Sequence, residues 1–598
     1  MRGHKKVVAK ALVFLLAAPG LVGQSDEAPE VMFRARTRLV LVPVVVADKS
    51  GNHVSGLAKE DFDLQEDGKS EALASFEEVK ATTGKVTRSK AQPGTYTNAL
   101  DSDAAPKRLT IFALDMVNTP FLDQTYARQQ LIKFLATHVT GQEPMALIAI
   151  RLSGIQVVHD FTSDPAVLIA ALKRVSSVIP EARGPSPNDA GADVNMASAQ
   201  LTALNVGDQS FKPNAIGGES QALTNFVNGI NERQIQTIQE TDSILATLHA
   251  FQHVAEAFAG IPGRKSLIWA TASFPFSLDP VSGRILSPTV FNQGSVPTAG
   301  FGDRRDSQGN LPTLPSATEI RSGDDLKYLE PHYQRTLQML SDANVAVYPV
   351  DARGLLLFFP GADVSRIEGL NSYNGAIFEA SRQTMLDFAE MTGGKAFYNR
   401  NDLDVAYQEA ALDSASYYML SYYLDSDAKP GWHKLRVKLK RKGLLLRARD
   451  GFFITPERKF DENRRMDLNL ALRSPLDFTG IPLDVKWVGV QADGAKKRIR
   501  FQIYLAPHAN VVETANNGLV NIEVIAVART ATGATADQFG QHVQTNLTAN
   551  ALQDALSKGL GFTNDLILPP GEYSVRFVVR DNLSGRLGSV SAPLQVTQ

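Results

Sequence analysis

Alternation of short apolar runs with helix-like segments between residues 107 and 415 constrains the fold more than any other feature of this chain. Arg108 to Leu114 and Met145 to Ile150 are strand-like, and Asp123 to Val139 between them places apolar residues near helical spacing. Further strands are predicted at 155–159, 267–270, 345–350 and 396–398, and further helices at 164–175, 235–260, 326–343, 378–391 and 403–415. This order predicts a doubly wound α/β domain, a mostly parallel sheet with helices on both faces.

At 598 residues the chain is too long for a single core, and the segments around the α/β domain have β character. The predicted divisions are a small β unit at 37–79, a linker at 80–106, the α/β domain at 107–415, a β meander at 416–455 and a β-sandwich at 470–598. The meander could complete the 37–79 unit, which would make the α/β domain an insertion. Leu568 to Tyr573 resembles the tyrosine-bearing corner of immunoglobulin-like sandwiches.

Two stretches rich in Gly, Ser, Asn, Pro and Thr interrupt the α/β domain at about 177–231 and 276–322. Loops longer than about 15 residues without secondary structure are unusual inside compact domains. They are interpreted either as insertions without a function of their own or as loops that grip a ligand.

The first 25 residues are typical of a secretory signal peptide, with a basic start, an apolar run from Val7 to Val22 and a small-residue end. An uncleaved anchor is the weaker alternative, because Pro19 interrupts a run that is already short for a membrane span. We therefore expect an exported protein, periplasmic or secreted, with no transmembrane span in the mature chain. The absence of cysteine excludes disulfides, thiolate zinc sites and cysteine nucleophiles.

Charge gives no indication of a nucleic-acid partner. Residues 1–25 contain four basic and no acidic side chains, so a chain cleaved there would carry a net charge of −6. Nucleic-acid-binding domains are usually basic. Nucleic acid is therefore excluded from the predicted partners.

Four segments together resemble a known family. They are LAKEDFDLQEDG at Leu57 to Gly68, IFALDMVNTPFLDQTYAR at Ile111 to Arg128, IPGRKSLIW at Ile261 to Trp269 and ANVAVYPVDARG at Ala343 to Gly354. These resemble the VWFA-related (von Willebrand factor type A-like) exported proteins of the acidobacterial group, over about residues 36 to 455. The resemblance implies a type A-like fold and an exported location.

The resemblance also implies a metal-ion-dependent adhesion site (MIDAS) at the carboxyl end of the central strand. Such a site uses an Asp-x-Ser-x-Ser motif, a lone Thr and a second Asp to hold Mg²⁺ or Ca²⁺, hard cations that prefer oxygen ligands. Here the motif reads Asp115-Met116-Val117-Asn118-Thr119, so Asp115 and Thr119 match but Val117 replaces a hydroxyl. The predicted site is therefore degenerate.

The other usual ligands of the adhesion site are poorly represented. No acid stands at 271–273, where the second Asp is expected, and Thr241 is a poor candidate for the lone Thr. Asn118, Thr271 and Ser273 could act as substitute ligands. In the alternative interpretation, Asp115 binds no metal and instead caps the following helix or pairs with a neighbouring amide.

Enzyme signatures are missing from the sequence, so the protein is not predicted to be an enzyme. There is no Gly-x-Ser-x-Gly elbow and no His-Glu-x-x-His pair. Gly260 to Ser266 faintly mimics a phosphate loop, but it follows a helix and precedes a strand, the reverse of what such a loop needs. An unrecognised hydrolase remains the least favoured function.

Two binding functions are left open. The first is an exported binding or adhesion protein that docks a protein partner at an edge formed by Asp115, Asn118, Thr119 and Ser273. The second is a metal-independent scaffold or assembly factor of the cell envelope. A basic stripe alternates with apolar residues at His433, Lys434, Arg436, Lys438, Lys440, Arg441 and Lys442. This stripe is either a contact for anionic envelope polysaccharide or the solvated side of a sheet.

Overall fold

The structure is a computed structural model in which twelve segments of the chain are described. These are residues 38–80, 87–88, 94–101, 109–141, 143–176, 241–272, 277–279, 284–286, 327–355, 381–456, 460–514 and 518–597. The predicted signal peptide and nearly all of the two predicted insertions lie outside them. Within the described residues, no helix combines the length and the apolar character needed to cross a membrane.

The described elements are numbered in chain order. The helices are α1 Phe121–Thr137, α2 Pro165–Arg174, α3 241–258, α4 Glu330–Asp342, α5 381–392, α6 Leu403–Leu412, α7 Phe460–Arg473 and α8 Ala549–Lys558. The strands are β1 Leu39–Ala47, β2 Phe62–Glu66, β3 Lys69–Ser70, β4 Ser75–Lys80, β5 Thr87–Arg88, β6 Thr95–Thr97, β7 Leu100–Asp101, β8 Leu109–Asp115, β9 Met145–Arg151, β10 Gly154–Thr162, β11 Lys265–Thr271, β12 Ser277–Asp279, β13 Arg284–Leu286, β14 Val345–Asp351, β15 Ser416–Tyr423, β16 Gly431–Leu439, β17 Leu445–Arg447, β18 Gly451–Ile454, β19 Leu483–Asp493, β20 Lys496–Leu505, β21 Val512–Glu513, β22 Leu519–Thr530, β23 Thr535–Asn546, β24 Leu560–Leu568, β25 Gly571–Asp581 and β26 Leu587–Val596.

A five-stranded sheet with the order β10-β9-β8-β11-β14 occupies the centre of the α/β region. The pairs β9–β8, β8–β11 and β11–β14 are parallel, and only the edge strand β10 is antiparallel. Every residue of β8, β11 and β14 is buried, as expected for strands covered on both faces. One face packs around Phe251, Trp269 and Phe388, and the other around Phe112 and Tyr407.

The prediction of a strand at 396–398 is wrong. Phe397 forms a single parallel bridge with Val350, exchanging backbone hydrogen bonds with Pro349 and Asp351. Asn399, two residues later, has a φ angle of 54°, so the chain leaves the extended conformation soon after the bridge.

Two segments more than 300 residues apart form one β unit. Strand β1 lies between β15 and β17, and β15 also pairs with β4; in the facing sheet β16 lies between β18 and β2. The two sheets enclose a shared core that includes Val42, Leu64 and Tyr418. The 37–79 and 416–455 segments therefore share a core, and the α/β region is inserted between them in the sequence.

The C-terminal region contains two packed antiparallel sheets, β24-β20-β19-β6 and β21-β22-β25-β26, with β23 paired to β22. Their shared core includes Phe501 and Phe577. The Tyr573 hydroxyl donates to the Pro569 carbonyl oxygen at 2.9 Å and so closes the predicted tyrosine-bearing corner. Whether the sandwich is immunoglobulin-like stays a prediction.

The prediction that residues 80–106 form a linker is wrong for residues 95–98. Strand β6 pairs with β19, and the next residue, Asn98, is 2% exposed. The Asn98 amide donates to the carbonyls of Phe478 and Ile481 at 2.6 and 2.8 Å and accepts from Leu483 N at 2.8 Å. Buried backbone groups need such partners, and these contacts fix the segment to the sandwich.

Candidate functional site

The predicted site lies where the central strands end. Asp115 closes β8 and is 1% exposed. In the parallel register Leu114 pairs with Ala270 on β11, and Thr271 pairs with Asp351 on β14. Asp115, Thr271 and Asp351 therefore stand at one level across three neighbouring strands, at the edge where open α/β sheets usually bind ligands.

Five protein donors surround the Asp115 carboxylate. Oδ1 accepts from the backbone N–H groups of Val117 and Asn118 at 3.0 and 2.9 Å. Oδ2 accepts from Asn118 Nδ2 at 2.8 Å, Trp269 Nε1 at 3.0 Å and Thr271 Oγ1 at 2.9 Å. Together these contacts fold residues 115–118 into a compact turn against β11.

Burial raises the pKa of Asp115, whereas the hydrogen bonds from Asn118, Thr271 and Trp269 act in the opposite direction. All five partners donate, so they are best satisfied by an ionised carboxylate that only accepts. The carboxylate is therefore buried among neutral donors, whose hydrogen bonds stabilise its ionised form against the effect of burial.

The donor set does not fit the cation that the resemblance implies. Mg²⁺ or Ca²⁺ needs the carboxylate lone pairs that now accept five hydrogen bonds. Thr119 Oγ1 is buried and makes no hydrogen bond with Asp115 or with any other residue in the described part of the chain. Val117, in the place of the usual hydroxyl, is an apolar core residue. The geometry matches the alternative in which Asp115 pairs with neighbouring amides.

The other predicted residues are only partly brought together. Asn118 Nδ2 also donates to Thr247 Oγ1 at 3.0 Å, so Thr247, rather than Thr241, is the α3 threonine that joins the cluster. Thr271 acts as a donor to Asp115 and not as a ligand. Ser273 lies outside the described residues. Asp115 does not cap α1 directly, because α1 begins at Phe121 without a side-chain cap.

Sequence reasoning missed an ion pair at the same edge. The Asp351 carboxylate accepts from Arg353 Nε at 2.8 Å and Nη2 at 2.7 Å, and Arg353 is nearly buried. The signal was available in the sequence, because Val345 to Val350 is an apolar run that ends directly in an aspartate. The edge thus contains a paired arginine where the resemblance implied an acidic ligand set.

Exposed apolar side chains lie beside this edge. Phe121 and Leu122 begin α1, Leu355 follows β14, and all three are at least 42% exposed. Asn401 joins the two segments, since its Oδ1 accepts from Leu355 N at 2.8 Å and its carbonyl accepts from the Tyr126 hydroxyl at 2.7 Å. We call Phe121, Leu122 and Leu355 the apolar rim.

Two other predicted features lie apart from the Asp115 edge. Lys265, within the faint phosphate-loop mimic, is 2% exposed and donates to the Ala343 carbonyl at 2.7 Å, and burial lowers its pKa to about 7. In the basic stripe, Lys434, Arg436 and Lys438 are exposed and alternate with inward residues, as on the solvated side of a sheet. The prediction that His433 belongs to this stripe was wrong, because the residue is buried.

Comparison with known proteins finds no matching family and only solved structures of low similarity. No protein-family model matches it, and no curated protein matches it. A solved structure of a putative beta-galactosidase from Bacteroides fragilis is similar at 12% identity and a TM-score of 0.14, over 30% of this chain and 24% of that chain. A beta-glucuronidase from glycoside hydrolase family 2 is similar at the same identity and TM-score, over 29% of this chain and 19% of that one. The chain spans about a quarter or less of these structures, and such scores carry no argument about fold or activity.

Proposed function

We propose that this chain is an exported binding protein whose type A-like α/β region holds a protein partner at the carboxyl edge of the sheet without a bridging cation. The observation that carries the proposal is the Asp115 carboxylate, which is saturated by five protein donors. These contacts give the 115–118 turn a fixed shape in the absence of metal. Asp115 is then a positioning residue for the edge.

The apolar rim supplies the contact surface in this proposal. Large apolar side chains at the centre of a small patch are the usual anchors of protein interfaces, and surrounding polar groups give specificity. Phe121 and Leu122 follow directly from the turn that Asp115 organises, and Leu355 follows directly from the Asp351–Arg353 pair. The buried polar network therefore supports the backbone on which the rim stands.

The first test measures capture of one partner by rim variants. The full chain, lacking only the predicted signal peptide, is immobilised and exposed to native envelope extract, and the captured partner is identified and purified. We expect Leu122→Glu and Leu355→Glu to weaken its binding at least about tenfold, because a charge would be desolvated in an apolar contact. Leu412→Glu is the matched control, an exposed leucine at the end of α6.

A chelator separates this proposal from the other functions. We expect partner affinity to be unchanged by EDTA. Loss of binding in EDTA that added Mg²⁺ or Ca²⁺ reverses in the wild type but not in Asp115→Ala would restore the cation-bridged mechanism. Undiminished binding by both rim variants would favour an envelope scaffold that uses another surface.

Direct titration tests the metal-free part of the proposal. Mg²⁺, Ca²⁺ and Mn²⁺ are titrated by calorimetry into the wild-type chain and into Asp115→Ala. We expect each ion to give the same result with both proteins. An ion bound by the wild type and lost in Asp115→Ala would contradict the proposed mechanism.

A further inference from the structure

A histidine and two carboxylates meet in the β unit, outside the α/β region that contains Asp115. Glu66 ends β2, Asp67 begins the following turn and His433 lies on β16, and their ligand atoms all lie within 4.8 Å of one another. His433 Nδ1 is 2.7 Å from Glu66 Oε1 and 3.5 Å from Asp67 Oδ2. We call these three residues the Glu66–Asp67–His433 cluster.

The nitrogen of the His433 ring that faces away from the carboxylates is Nε2, and its contact indicates which nitrogen carries the hydrogen. Nε2 lies 2.7 Å from the Lys429 carbonyl oxygen, which can only accept, so Nε2 carries the hydrogen. The ring is 8% exposed and stacks on Phe452 with centroids 5.2 Å apart. Nδ1 is thereby held facing the carboxylates. A metal-binding histidine is normally oriented in this way, with its second nitrogen donating to a carbonyl.

The Asp67 carboxylate is also oriented by the fold. Its Oδ1 accepts from Lys434 N at 2.9 Å, which leaves Oδ2 towards His433. Asp67 and Gly68 have φ angles of 48° and 84°, so the β2–β3 turn places both in left-handed conformation. Asp67 remains 55% exposed at the side chain, and solvent reaches the cluster from this side.

Charge balance in the cluster favours a cation over a proton alone. Two carboxylates face Nδ1, and in the described part of the chain neither forms an ion pair with a lysine or an arginine. A single proton on Nδ1 compensates one negative charge, whereas a divalent ion compensates both.

Tyr422 gives a second, independent observation. Its hydroxyl is buried, with the residue 1% exposed, and among the described residues it makes no hydrogen bond of normal geometry, although it lies close enough to Glu66 for that carboxylate to act on it. Burial, followed by the neighbouring Glu66 carboxylate, raises the pKa of Tyr422. A buried hydroxyl without a partner is costly, and a ligand or its bound water at Glu66 would satisfy this one.

We propose that Glu66, Asp67 and His433 form a binding site for a divalent transition-metal ion such as Zn²⁺, with an open coordination position towards solvent. One imidazole nitrogen with two carboxylate oxygens is a ligand set suited to Zn²⁺ and its first-row neighbours. Metal–ligand bonds of about 2.0–2.2 Å place tetrahedral ligands roughly 3.4 Å apart. The 3.5 Å separation of Nδ1 and Asp67 Oδ2 already fits, and the 2.7 Å separation of Nδ1 and Glu66 Oε1 would have to lengthen by less than 1 Å on metal binding.

Zinc binding by the full chain after removal of metal tests this proposal. Calorimetry with ZnCl₂ alone is expected to show one site per chain, lost or weakened at least about 100-fold in His433→Gln, since loss of an outer-shell partner alone costs 10- to 100-fold. Asp67→Asn is the milder variant, because asparagine tolerates the positive φ while losing the charge. It is expected to weaken zinc binding at least about tenfold and to reduce the rise in Tm that zinc gives the wild type.

The control is His542→Gln, a histidine of the C-terminal sandwich whose Nε2 contacts Asn521. It is expected to leave the zinc isotherm unchanged, and circular dichroism checks the fold of each variant. The proposal would be overturned if the three residues form only an ordinary imidazolium–carboxylate pair. In that case the wild type would bind no zinc, or a correctly folded Asp67→Asn would bind zinc as tightly as the wild type.

Discussion

The two oxygens of Asp115 accept five hydrogen bonds in a site that is closed to solvent. Asp115→Asn replaces one acceptor oxygen by an NH₂ group that faces donors such as Trp269 Nε1 and Thr271 Oγ1. Breaking a buried network while leaving its partners unsatisfied is expected to cost about 3–5 kcal/mol of unfolding free energy. Urea denaturation measures this loss.

Asp427→Asn provides the matched control for this substitution. Asp427 lies in an exposed turn, where its carboxylate makes one long contact with Ser426 Oγ at 3.4 Å. Its replacement is expected to change the unfolding free energy by less than about 0.5 kcal/mol. Equal stability of Asp115→Asn and the wild type would show that the donors at Asp115 contribute little to the fold.

At the scale of elements, the end of α3 is joined to the start of the C-terminal region through Gly260. Gly260 N donates to Thr479 Oγ1 at 3.0 Å, and the same hydroxyl donates to the Ala257 carbonyl at 2.8 Å. A Cβ on residue 260 would lie 2.0 Å from the Thr479 carbonyl oxygen, which is backbone and cannot rotate away. Gly260→Ala is therefore expected to lower the unfolding free energy by about 2–3 kcal/mol.

Calorimetric melting of Gly260→Ala beside Gly540→Ala tests the role of this contact. Gly540, on β23, has open space around the added methyl group and no left-handed backbone, so its substitution is expected to be neutral or slightly stabilising. Matching losses of stability in the two variants would indicate a general cost of replacing glycine and not a clash at Thr479.

Elements whose pattern is local were accessible to sequence reasoning, and contacts between distant residues were not. The runs Leu109 to Leu114 and Met145 to Ile150 are apolar because both faces of these strands are covered, and their strand structure was predicted. His433 shares the inward face of β16 with Leu435, so its inclusion in the basic stripe rested on its residue type and not on the alternation, and its partner Glu66 lies 367 residues earlier. The pairing of β6 with β19 also joins residues far apart in the sequence, so the segment that contains β6 was predicted to be a linker.

In the candidate site, too, residues close together in the sequence were predicted and residues from distant elements were not. The motif at Asp115 and the missing hydroxyl at Val117 were visible in the sequence, and they predicted a degenerate site. Trp269 and Thr247 were not recognised, because they come from elements more than 100 residues away and act through single side-chain hydrogen bonds. The spacing of residues along the chain does not predict such hydrogen bonds.

At the scale of the whole molecule, the first β strands close a unit whose other half follows the α/β region. Removal of residues 38–80 takes away β1 from between β15 and β17, and β2 from beside β16. It uncovers buried core residues such as Leu420 and Leu435. We expect the truncated chain to aggregate, because it exposes apolar surface and unpaired strand edges together. Light scattering during refolding, with the full chain as the reference, measures this; a monomeric truncated chain of unchanged Tm would contradict it.

The junction between α3 and the C-terminal region contains a carboxyl group whose ionisation opposes folding. Burial, and then the charge of Asp467, raise the pKa of Glu256 to about 8. Asp467 is itself held by Arg335 and by Arg580, whose Nη2 lies 2.8 Å away. Glu256 is therefore protonated in the folded chain at neutral pH, although the unfolded chain has lost this proton.

The sign of the pH dependence follows from this difference. Below about pH 4.5 both states hold the proton, and between about 4.5 and 8 the unfolded state binds fewer protons, so rising pH removes stability. Glu256→Gln keeps the neutral form at every pH. It should match the wild type near pH 4.5 and exceed it by roughly 2 kcal/mol at pH 8, a value discounted for partial exposure. Urea titrations at pH 4.5, 6.5 and 8 measure the difference, with exposed Glu572→Gln as the flat control. A constant difference between Glu256→Gln and the wild type at all three pH values would place the ionisation elsewhere.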